Sequence, residues 1–331
     1  MIDVVALGEL LIDFACLSTD ESGYPTMAAH PGGAPANFLA ALCKFGAKTA
    51  LMGKVGTDAF GKMLLGTLTQ SGIETRGIVR SDDVFTTLAF VTFDEHGDRE
   101  FSFSRKPGAD TCISFDELDL SLIDESRVFH FGTLSLTDEP ARSATRKAVA
   151  YARSKGKLIT YDPNLRKPLW KNLDEAREQL IWGLRQADVV KISDEEVDFL
   201  FGLGVEEGAD YILRNYGVKL VFVTCGPDGC FFGNANASGR VPSLSGIHVI
   251  DTTGAAEDVA GTGGVNDVNT AEGGNLAAGS RVLEEAADRA AGDEHQLHAE
   301  VLQNVFGAFL YAQAKEKFHL FVADFHHVRL L

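Results

Sequence analysis

The stretch DTTGAAEDVAG, residues 251–261, has the composition of a turn that binds phosphate and leads to a carboxylate. Gly254 in this stretch suits close approach of backbone amides to an anion. Two carboxylates, Glu257 and Asp258, stand where a proton-accepting site needs only one. The stretch therefore admits three interpretations: a centre of phosphoryl transfer, a damaged copy of one, or an ordinary loop before a helix.

A second group of polar residues lies near the N-terminus, in GELLIDF (8–14) and PGGAPANFLAAL (31–42). Asp13 falls at the end of the first strand region, where the binding residues of α/β sheets collect. Gly33 permits close approach of a ligand to the backbone, and Asn37 lies in the first turn of the following helix. Carboxylate and amide side chains suit the donors and acceptors of sugar hydroxyls, although a glycine turn before a helix is common by itself.

The 331 residues carry a formal net charge of -17 at pH 7, with 45% hydrophobic and 23% charged residues. This composition is typical of a soluble globular protein, and its negative field repels nucleic acid and anionic membranes. The N-terminal segment is apolar without a cationic leader, and no apolar run is long enough to span a bilayer. The five scattered cysteines form no zinc motif. We therefore predict a cytoplasmic protein with reduced thiols that binds neither nucleic acid nor membranes.

Strand-like and helix-like segments alternate along most of the chain. Short apolar runs such as VFHFG (128–132) and KLITYD (157–162) are separated by helical patterns around 139–154 and 173–186. This alternation predicts the α/β class, with a parallel sheet covered by helices on both faces.

One region departs from this alternation. TLAFVTFD (87–94) and REFSFS (99–104) flank the turn EHGD, a pattern that predicts a β-hairpin. Together with the segment around 14–30, the hairpin could form a small sheet projecting from the main domain. Phe101 and Phe103 share one face of this hairpin, and serines occupy the other. The alternative is an edge hairpin of the main sheet.

Residues 32–75, beginning GGAPANFLAALCKFGAKTALMGKVGTDAFG, resemble the N-terminal signature of the ribokinase-like (pfkB-type) carbohydrate kinases. YDPNLRKPLW (161–170) and DVVKISDEEVDFLFG (188–202) are similar to bacterial fructokinases and to 2-keto-3-deoxygluconate kinases. VTCGPDGCFF (223–232) and VIDTTGA (249–255) fit the nucleotide-binding half of the family. The resemblance is nearly collinear up to this last segment and fades beyond it.

This resemblance implies a single ribokinase-like domain over residues 1–331, with a Rossmann-like core and a β-sheet lid from about 14–30 and 87–105. It also implies ATP as the phosphate donor, Mg²⁺ as the bridge, and a hexose or related sugar as the acceptor, with K⁺ left open as a further cation. Closure of the lid would exclude water, which otherwise competes with the sugar as acceptor. The lid offers a surface for a homodimer as well.

Site residues follow from the same resemblance. Those that would hold the sugar are Asp13, Gly33, Asn37, Phe101, Phe103, Arg105 with its neighbour Asp110, Asn164 and Arg166. Those that would contact ATP are Lys191, Thr224, Gly226 and Gly229, and Glu196 would act on the hydration shell of Mg²⁺. The alternatives are packing within the lid for the two phenylalanines, a salt bridge for Arg166, and an ordinary tight turn at residues 226–229.

In the family, the turn that matches residues 251–258 reads D-T-T-G-A-G-D and opens a helix. Its amides, here those of Gly254 and Ala255, would bind the transferred γ-phosphate. The last Asp of the family turn would take the hydroxyl proton. We assign that role to Asp258, with Asp251 as a supporting residue.

The turn departs from the family pattern at two positions. Ala256 replaces the second glycine, and Glu257 occupies the position of the base. Three explanations compete: a bulge that returns Asp258 to the site, a catalytically impaired relative, and an error in the sequence after Ala255.

Together these features predict an ATP-dependent sugar kinase, with fructose as the leading acceptor. The alternatives are a 2-keto-3-deoxygluconate kinase, a nucleoside kinase of the same fold, and a catalytically impaired protein that binds sugar or nucleotide. The altered turn favours the impaired relative, and the otherwise complete set of binding residues argues against it. A dehydrogenase is disfavoured because the glycine cluster at 261–264 follows no convincing strand, and the sequence contains no Walker A motif.

Overall fold

The computed structural model describes residues 1–93 and 99–242, which form two β-sheets and seven α-helices. The strands of these ranges are β1 (Ile2–Leu7), β2 (Leu11–Thr19), β3 (Pro25–Gly32), β4 (Thr49–Gly56), β5 (Ile78–Ser81), β6 (Leu88–Phe93), β7 (Arg99–Ser104), β8 (Ser126–Gly132), β9 (Leu158–Asp162), β10 (Val189–Ser193), β11 (Leu220–Thr224), β12 (Cys230–Asn234) and β13 (Ser238–Val241). The helices are α1 (Ala34–Lys44), α2 (Ala59–Gln70), α3 (Leu120–Glu125), α4 (Ala141–Ser154), α5 (Leu173–Gln186), α6 (Asp194–Phe201) and α7 (Val205–Tyr216).

The larger sheet has nine strands in the order β13-β12-β11-β10-β9-β8-β1-β4-β5. Its neighbours from β11 to β5 all pair in parallel, and only β12 and β13 at one edge pair antiparallel. The predicted mostly parallel central sheet is therefore confirmed.

Side chains that alternate along β1 enter two different apolar clusters. Val5 belongs to a cluster that contains residues of α3 to α7, whereas its neighbour Val4 belongs to a cluster that contains residues of α1 and α2. Successive strand residues point to opposite faces of a sheet, so helices cover both faces. Strands inside the sheet, such as β1 (IDVVAL) and β11 (LVFVT), are nearly continuous apolar runs because both of their faces are covered.

The smaller sheet has four strands in the order β3-β2-β6-β7. β6 and β7 pair antiparallel as the hairpin pattern predicts, and β2 pairs in parallel with β6. The alternative of an edge hairpin on the main sheet is therefore wrong. The sheet also begins and ends further out than the segment 14–30, because β2 starts at Leu11 and β3 ends at Gly32. The whole turn EHGD (95–98) lies outside the described residues.

The register of the smaller sheet places specific side chains on each face. Asp13 is paired with Ala89, and Ala89 is paired with Phe103, so Asp13 and Phe103 share one face. On the other face, Phe14 stacks on Phe90 with a centroid distance of 5.2 Å. The same Phe14 ring meets Phe60 of α2 edge-on at 5.5 Å. Aromatic packing thus attaches one face of the small sheet to the main body and leaves Asp13 on the opposite face.

Within residues 1–93 and 99–242, no helix combines the length and the apolar character needed to cross a bilayer.

Candidate functional site

Charged side chains gather where β9 and β10 end. Lys191 of β10 lies 3.3 Å from a carboxylate oxygen of Asp162, the last residue of β9. Burial raises the pKa of Asp162, the positive charges of Lys191 and Arg166 oppose that rise, and Glu196 adds to it. Ligand sites of open α/β sheets lie beyond the carboxyl ends of the parallel strands, so this cluster marks the binding edge.

Glu196 connects two loops at this edge. One carboxylate oxygen accepts a hydrogen bond from the backbone N–H of Leu165 at 2.6 Å, and the other accepts one from Ser193 at 2.9 Å. The Ser193 hydroxyl in turn accepts from the Glu196 N–H at 3.1 Å, which completes a capping box at the start of α6. Glu196 therefore holds the loop that carries Arg166 against the N-terminus of α6.

Asp13 reaches this cluster from the small sheet. Burial raises the pKa of its carboxyl to about 6, and the charge of Arg166 opposes that rise. Arg166 lies in the loop after β9, so the interaction joins the small sheet to the edge of the main sheet. Two residues that are 153 positions apart in the sequence thus influence each other electrostatically.

Gly33 directly precedes α1 as its N-cap, in a conformation that favours glycine. Its φ of 122° is one that side-chain-bearing residues rarely adopt. A Cβ at Gly33 would also lie 2.5 Å from the backbone oxygen of Glu9. Asn37 follows one turn later, is half-buried, and makes no side-chain hydrogen bond to any residue in the described ranges. Its amide is therefore available to a ligand.

Arg105 contacts protein groups on three sides. Its Nε donates to Asp110 at 2.8 Å, its Nη1 donates to the Thr137 hydroxyl at 2.8 Å, and its Nη2 donates to the Leu134 carbonyl at 2.7 Å. Thr87 donates to the second oxygen of Asp110. Arg105 and Asp110 are 4% and 3% exposed. The pair therefore acts within the structure as a buried connector, and direct contact of Arg105 with sugar stays a prediction.

The predicted nucleotide-binding residues lie along one edge of the main sheet. Thr224 ends β11 and is buried, and a 3₁₀ turn at Gly226–Asp228 follows it. Gly226 and Gly229 both have positive φ, 50° and 87°, which lets the turn reverse into β12. Lys191 lies in the strand next to β11. These positions are neighbours in space, and their contact with ATP stays a prediction.

The remaining residues that the sequence assigned to the site are described only in part or lie outside the described residues. Asn164 lies after β9 with φ of 46°, an uncommon value for a residue with a side chain. Phe101 belongs to β7, but its side chain is outside the described part of the protein. The turn residues Asp251, Gly254, Ala255 and Asp258 lie outside the described residues altogether.

Two buried carboxylates of this region were not assigned from the sequence. Asp162 directly precedes the PN of YDPNLRKPLW, so its place at a strand end could have marked it. Glu9 follows the first strand by two residues, and it is 2% exposed. Nothing in the sequence alone distinguishes a buried Glu in this position from a solvated one.

In residues 1–93 and 99–242, no group of three His, Cys, Asp or Glu side chains could hold a metal ion. Both oxygens of Glu196 accept backbone N–H groups, so this carboxylate suits water-mediated contact with a hydrated ion better than direct ligation. Mg²⁺ commonly keeps several waters and is held through one or two carboxylates and substrate phosphates. The donor set therefore fits an outer-sphere role for Glu196.

Comparison with known proteins adds to this geometry. The family model described as pfkB family carbohydrate kinase matches residues 1–256. Fructokinase-1 of Zea mays is 42% identical over 263 residues, which are 78% of this chain and 80% of that protein. Probable fructokinase-3 of Arabidopsis thaliana is 41% identical over 263 residues, 78% of this chain and 75% of that protein.

Solved structures agree with the fold. A fructokinase from Xylella fastidiosa with bound ATP superposes with a TM-score of 0.70 at 26% identity, covering 95% of this chain and 93% of that one. The fructokinase of Halothermothrix orenii superposes with a TM-score of 0.66 at 33% identity, covering 74% of this chain and 87% of that one. The predicted ribokinase-like fold class is confirmed.

Proposed function

We propose, since this chain belongs to the pfkB family of carbohydrate kinases, that it transfers the γ-phosphate of ATP to a hydroxyl of fructose. The family membership makes the chain a carbohydrate kinase. The choice of fructose is supported by the fructokinases among its relatives. ATP as donor is supported by the structural neighbour that holds it.

The pairing of cations at the described site favours a neutral sugar over an acidic one. Arg105 is paired with Asp110, and Lys191 is paired with Asp162. The charge of Arg166 acts to lower the pKa of Asp13 and of Asp162, without a direct ion pair of Arg166 in residues 1–93 and 99–242. The alternative acceptor 2-keto-3-deoxygluconate carries a carboxylate, which an arginine binds well only when its donors are free. This pairing is the observation that carries the assignment of a neutral hexose.

Each group of residues has a distinct task in the proposed reaction. Asp13 and Asn37 orient the hydroxyls of the sugar, and the turn after β11 approaches the phosphates through backbone amides. Mg²⁺, when bound, neutralises charge on the phosphates, and Glu196 would orient waters of its hydration shell. Asp258 would accept the proton of the attacking hydroxyl.

The small sheet is proposed to act as a lid. Asp13 and Phe103 lie on one face of it, so movement of this sheet toward β9 and β10 would close the sugar site and exclude water.

A homodimer through the same sheet is also proposed. Leu17 and Tyr24 there are 66% and 72% exposed, and sedimentation velocity over a range of concentrations would measure the association.

A panel of acceptors tests the proposed reaction. With ATP and Mg²⁺, in potassium and in sodium salts, fructose is expected to give the highest kcat/KM. 2-Keto-3-deoxygluconate and nucleosides should be turned over much less efficiently. A higher kcat/KM for the acidic sugar would overturn the argument from paired cations, and binding of sugar without turnover of ATP would identify an impaired relative.

Changing Asp13 to Asn is expected to weaken fructose binding about 5- to 100-fold, because each lost polar partner in a desolvated site costs about 1–3 kcal/mol. The Kd for ATP should stay nearly constant. In the wild type, fructose affinity should fall as the pH drops through about 6, because protonation replaces a hydrogen-bond acceptor of Asp13 with a donor. Isothermal titration calorimetry between pH 5 and 8 measures both effects.

Asn37→Ala serves as the companion variant, with the same selective loss of sugar affinity. Equal losses for fructose and for ATP in either variant would indicate general unfolding. A Kd for fructose that does not vary with pH would show that Asp13 does not contact the sugar as a carboxylate.

A further inference from the structure

Glu9 lies where the chain first passes from the main sheet into the small sheet. It follows β1 by two residues and precedes β2 by two. The side chain is 2% exposed, and its Oε1 accepts a hydrogen bond from the backbone N–H of Ala34 at 3.0 Å. Ala34 is the first residue of α1, which follows β3, the strand from which the chain first leaves the small sheet. Glu9 therefore connects the segment that enters the small sheet to the segment that leaves it.

The backbone around Glu9 also packs closely against the start of α1. A Cβ at Gly33 would come 2.5 Å from the Glu9 carbonyl oxygen, and a Cβ at Gly8 would come 2.5 Å from Cγ of Pro35. Main chain and side chain of the junction thus both touch the first residues of α1. Gly33 and Asn37, which the proposed function assigns to the sugar, lie directly before and within the part of α1 that makes this contact.

The second crossing between the sheets has a buried connector of its own. Thr87 precedes β6, Arg105 follows β7, and both bind Asp110. Ile12 lies in β2, three residues after Glu9. Its backbone N–H donates to the Thr87 carbonyl at 3.0 Å. The two crossings are therefore in contact, and all the chain segments that support the small sheet meet in one buried region.

We propose that Glu9 is a positioning residue for the acceptor sugar: by binding the Ala34 N–H at the crossing between the sheets, it sets where Gly33 and Asn37 stand relative to Asp13. It touches no substrate and acts through the start of α1. The inference rests on the proposed function for the identity of the sugar, and its test uses whichever acceptor the panel shows to be best.

The charges around Glu9 make this position sensitive to pH. Burial raises the pKa of Glu9 to about 7; the backbone N–H groups of Glu9 and Ala34 and the charge of Arg105 act to lower it, and Asp110 acts to raise it. The first turn of α1 contributes no acidic side chain. When Glu9 is ionised its hydrogen bond to Ala34 is charge-assisted and stronger, so positioning should be best above pH 7.

The same shift has the opposite effect on stability. The pKa of Glu9 in the folded protein lies above its ordinary value of 4.5, so the folded state binds this proton more tightly than the unfolded state does. The free energy of unfolding should therefore decrease as the pH rises from about 4.5 through about 7. Glu9→Gln replaces the carboxyl with a neutral side chain of the same shape and should remove this decrease in the free energy of unfolding. The variant therefore separates the effect of Glu9 on stability from its effect on sugar binding.

Glu9→Ala and Glu9→Gln test the proposal, with Glu207→Gln as a control that removes an equal charge from an exposed position on α7. Glu9→Ala is expected to raise the KM for the sugar about tenfold, from the loss of one buried hydrogen bond, with the KM for ATP within about twofold of wild type. The wild-type KM for the sugar should show two inflections with pH, near 7 and near 6. Glu9→Gln should keep only the lower one, which belongs to Asp13.

A second measurement needs no substrate and so stands apart from the proposed function. Amide hydrogen exchange across residues 32–39 should increase in Glu9→Ala and stay at the wild-type rate in Glu207→Gln. Unchanged exchange in this segment, or equal increases in the KM values for sugar and ATP, would overturn the role of Glu9. A best acceptor other than fructose, together with the expected split of KM values, would overturn the assignment of fructose and leave the role of Glu9 supported.

Discussion

Replacing Asp258 with Asn is expected to lower kcat by at least about 10²- to 10⁴-fold, the contribution that general-base catalysis typically supplies. Phosphoryl transfer in this family depends on positioning, on charge stabilisation by the turn amides and Mg²⁺, and on removal of one proton. The Asn side chain keeps the size of the Asp and loses only the ability to take that proton. The KM values for sugar and ATP should therefore stay nearly unchanged in steady-state assays.

Glu257→Gln is the matched comparison, because Glu257 occupies the family position of the base and Asp258 follows one residue later. If the turn bulges so that Asp258 reaches the sugar, Glu257→Gln should change kcat little. A large loss for Glu257→Gln alone would move the base to that residue. If an active enzyme tolerates both changes, the turn at residues 251–258 is not its catalytic centre.

Asp110→Ala is expected to lower the free energy of unfolding by about 3–5 kcal/mol, because it leaves the Arg105 guanidinium buried without its counterion. The two side chains are 2.6 Å apart at their closest charged atoms. Thr87 would lose its acceptor in the same variant. Chemical denaturation followed by circular dichroism measures the change, and Asp110→Asn, which keeps an acceptor, should lose less.

An exposed ion pair provides the control for this variant. Arg214 and Asp210 are also paired, but their side chains are 76% and 58% exposed. Solvent-exposed pairs contribute about 0–1 kcal/mol, so Asp210→Ala should be nearly neutral. An equally small effect of Asp110→Ala would contradict the connector role of the buried pair. Loss of sugar affinity in Arg105→Met without loss of stability would instead support direct contact of Arg105 with the sugar.

Local pattern predicted several of the elements of this fold. The helix expected around 173–186 is found as Leu173–Gln186, and the hairpin expected from 87–94 and 99–104 is found as β6 and β7. Both are encoded by short-range periodicity and turn chemistry, which a sequence shows directly. The ends of β2 and β3 were placed two to three residues short, because nothing in the local composition marks where one sheet ends and the other begins.

The roles of charged residues that depend on burial could not be predicted from local sequence pattern. Arg105 has the residue type of a ligand-binding group, but Asp110, Thr137 and Leu134 occupy most of its donors. Glu196 was assigned to the hydration shell of the metal ion. Its spacing from Ser193 matches a capping box, but its contact with the Leu165 N–H became visible only in three dimensions. Whether a charged side chain faces a ligand or a partner is set by neighbours that are distant in sequence.

The amino-acid sequence alone identified the family and the fold class, and it suggested most of the candidate site residues. It did so because glycine turns, strand-end polar residues and periodic apolar runs are local and survive in the linear order of the chain. The partners of individual side chains depend on the tertiary structure: the charge of Arg166 acts on Asp13, Asp162 pairs with Lys191, and Glu9 is buried against the start of α1. These pairings arise because parallel strands bring their carboxyl ends to one edge of the sheet. The side chains there lose contact with water, and this desolvation sets the charge and the partner of each group. No local sequence pattern records it.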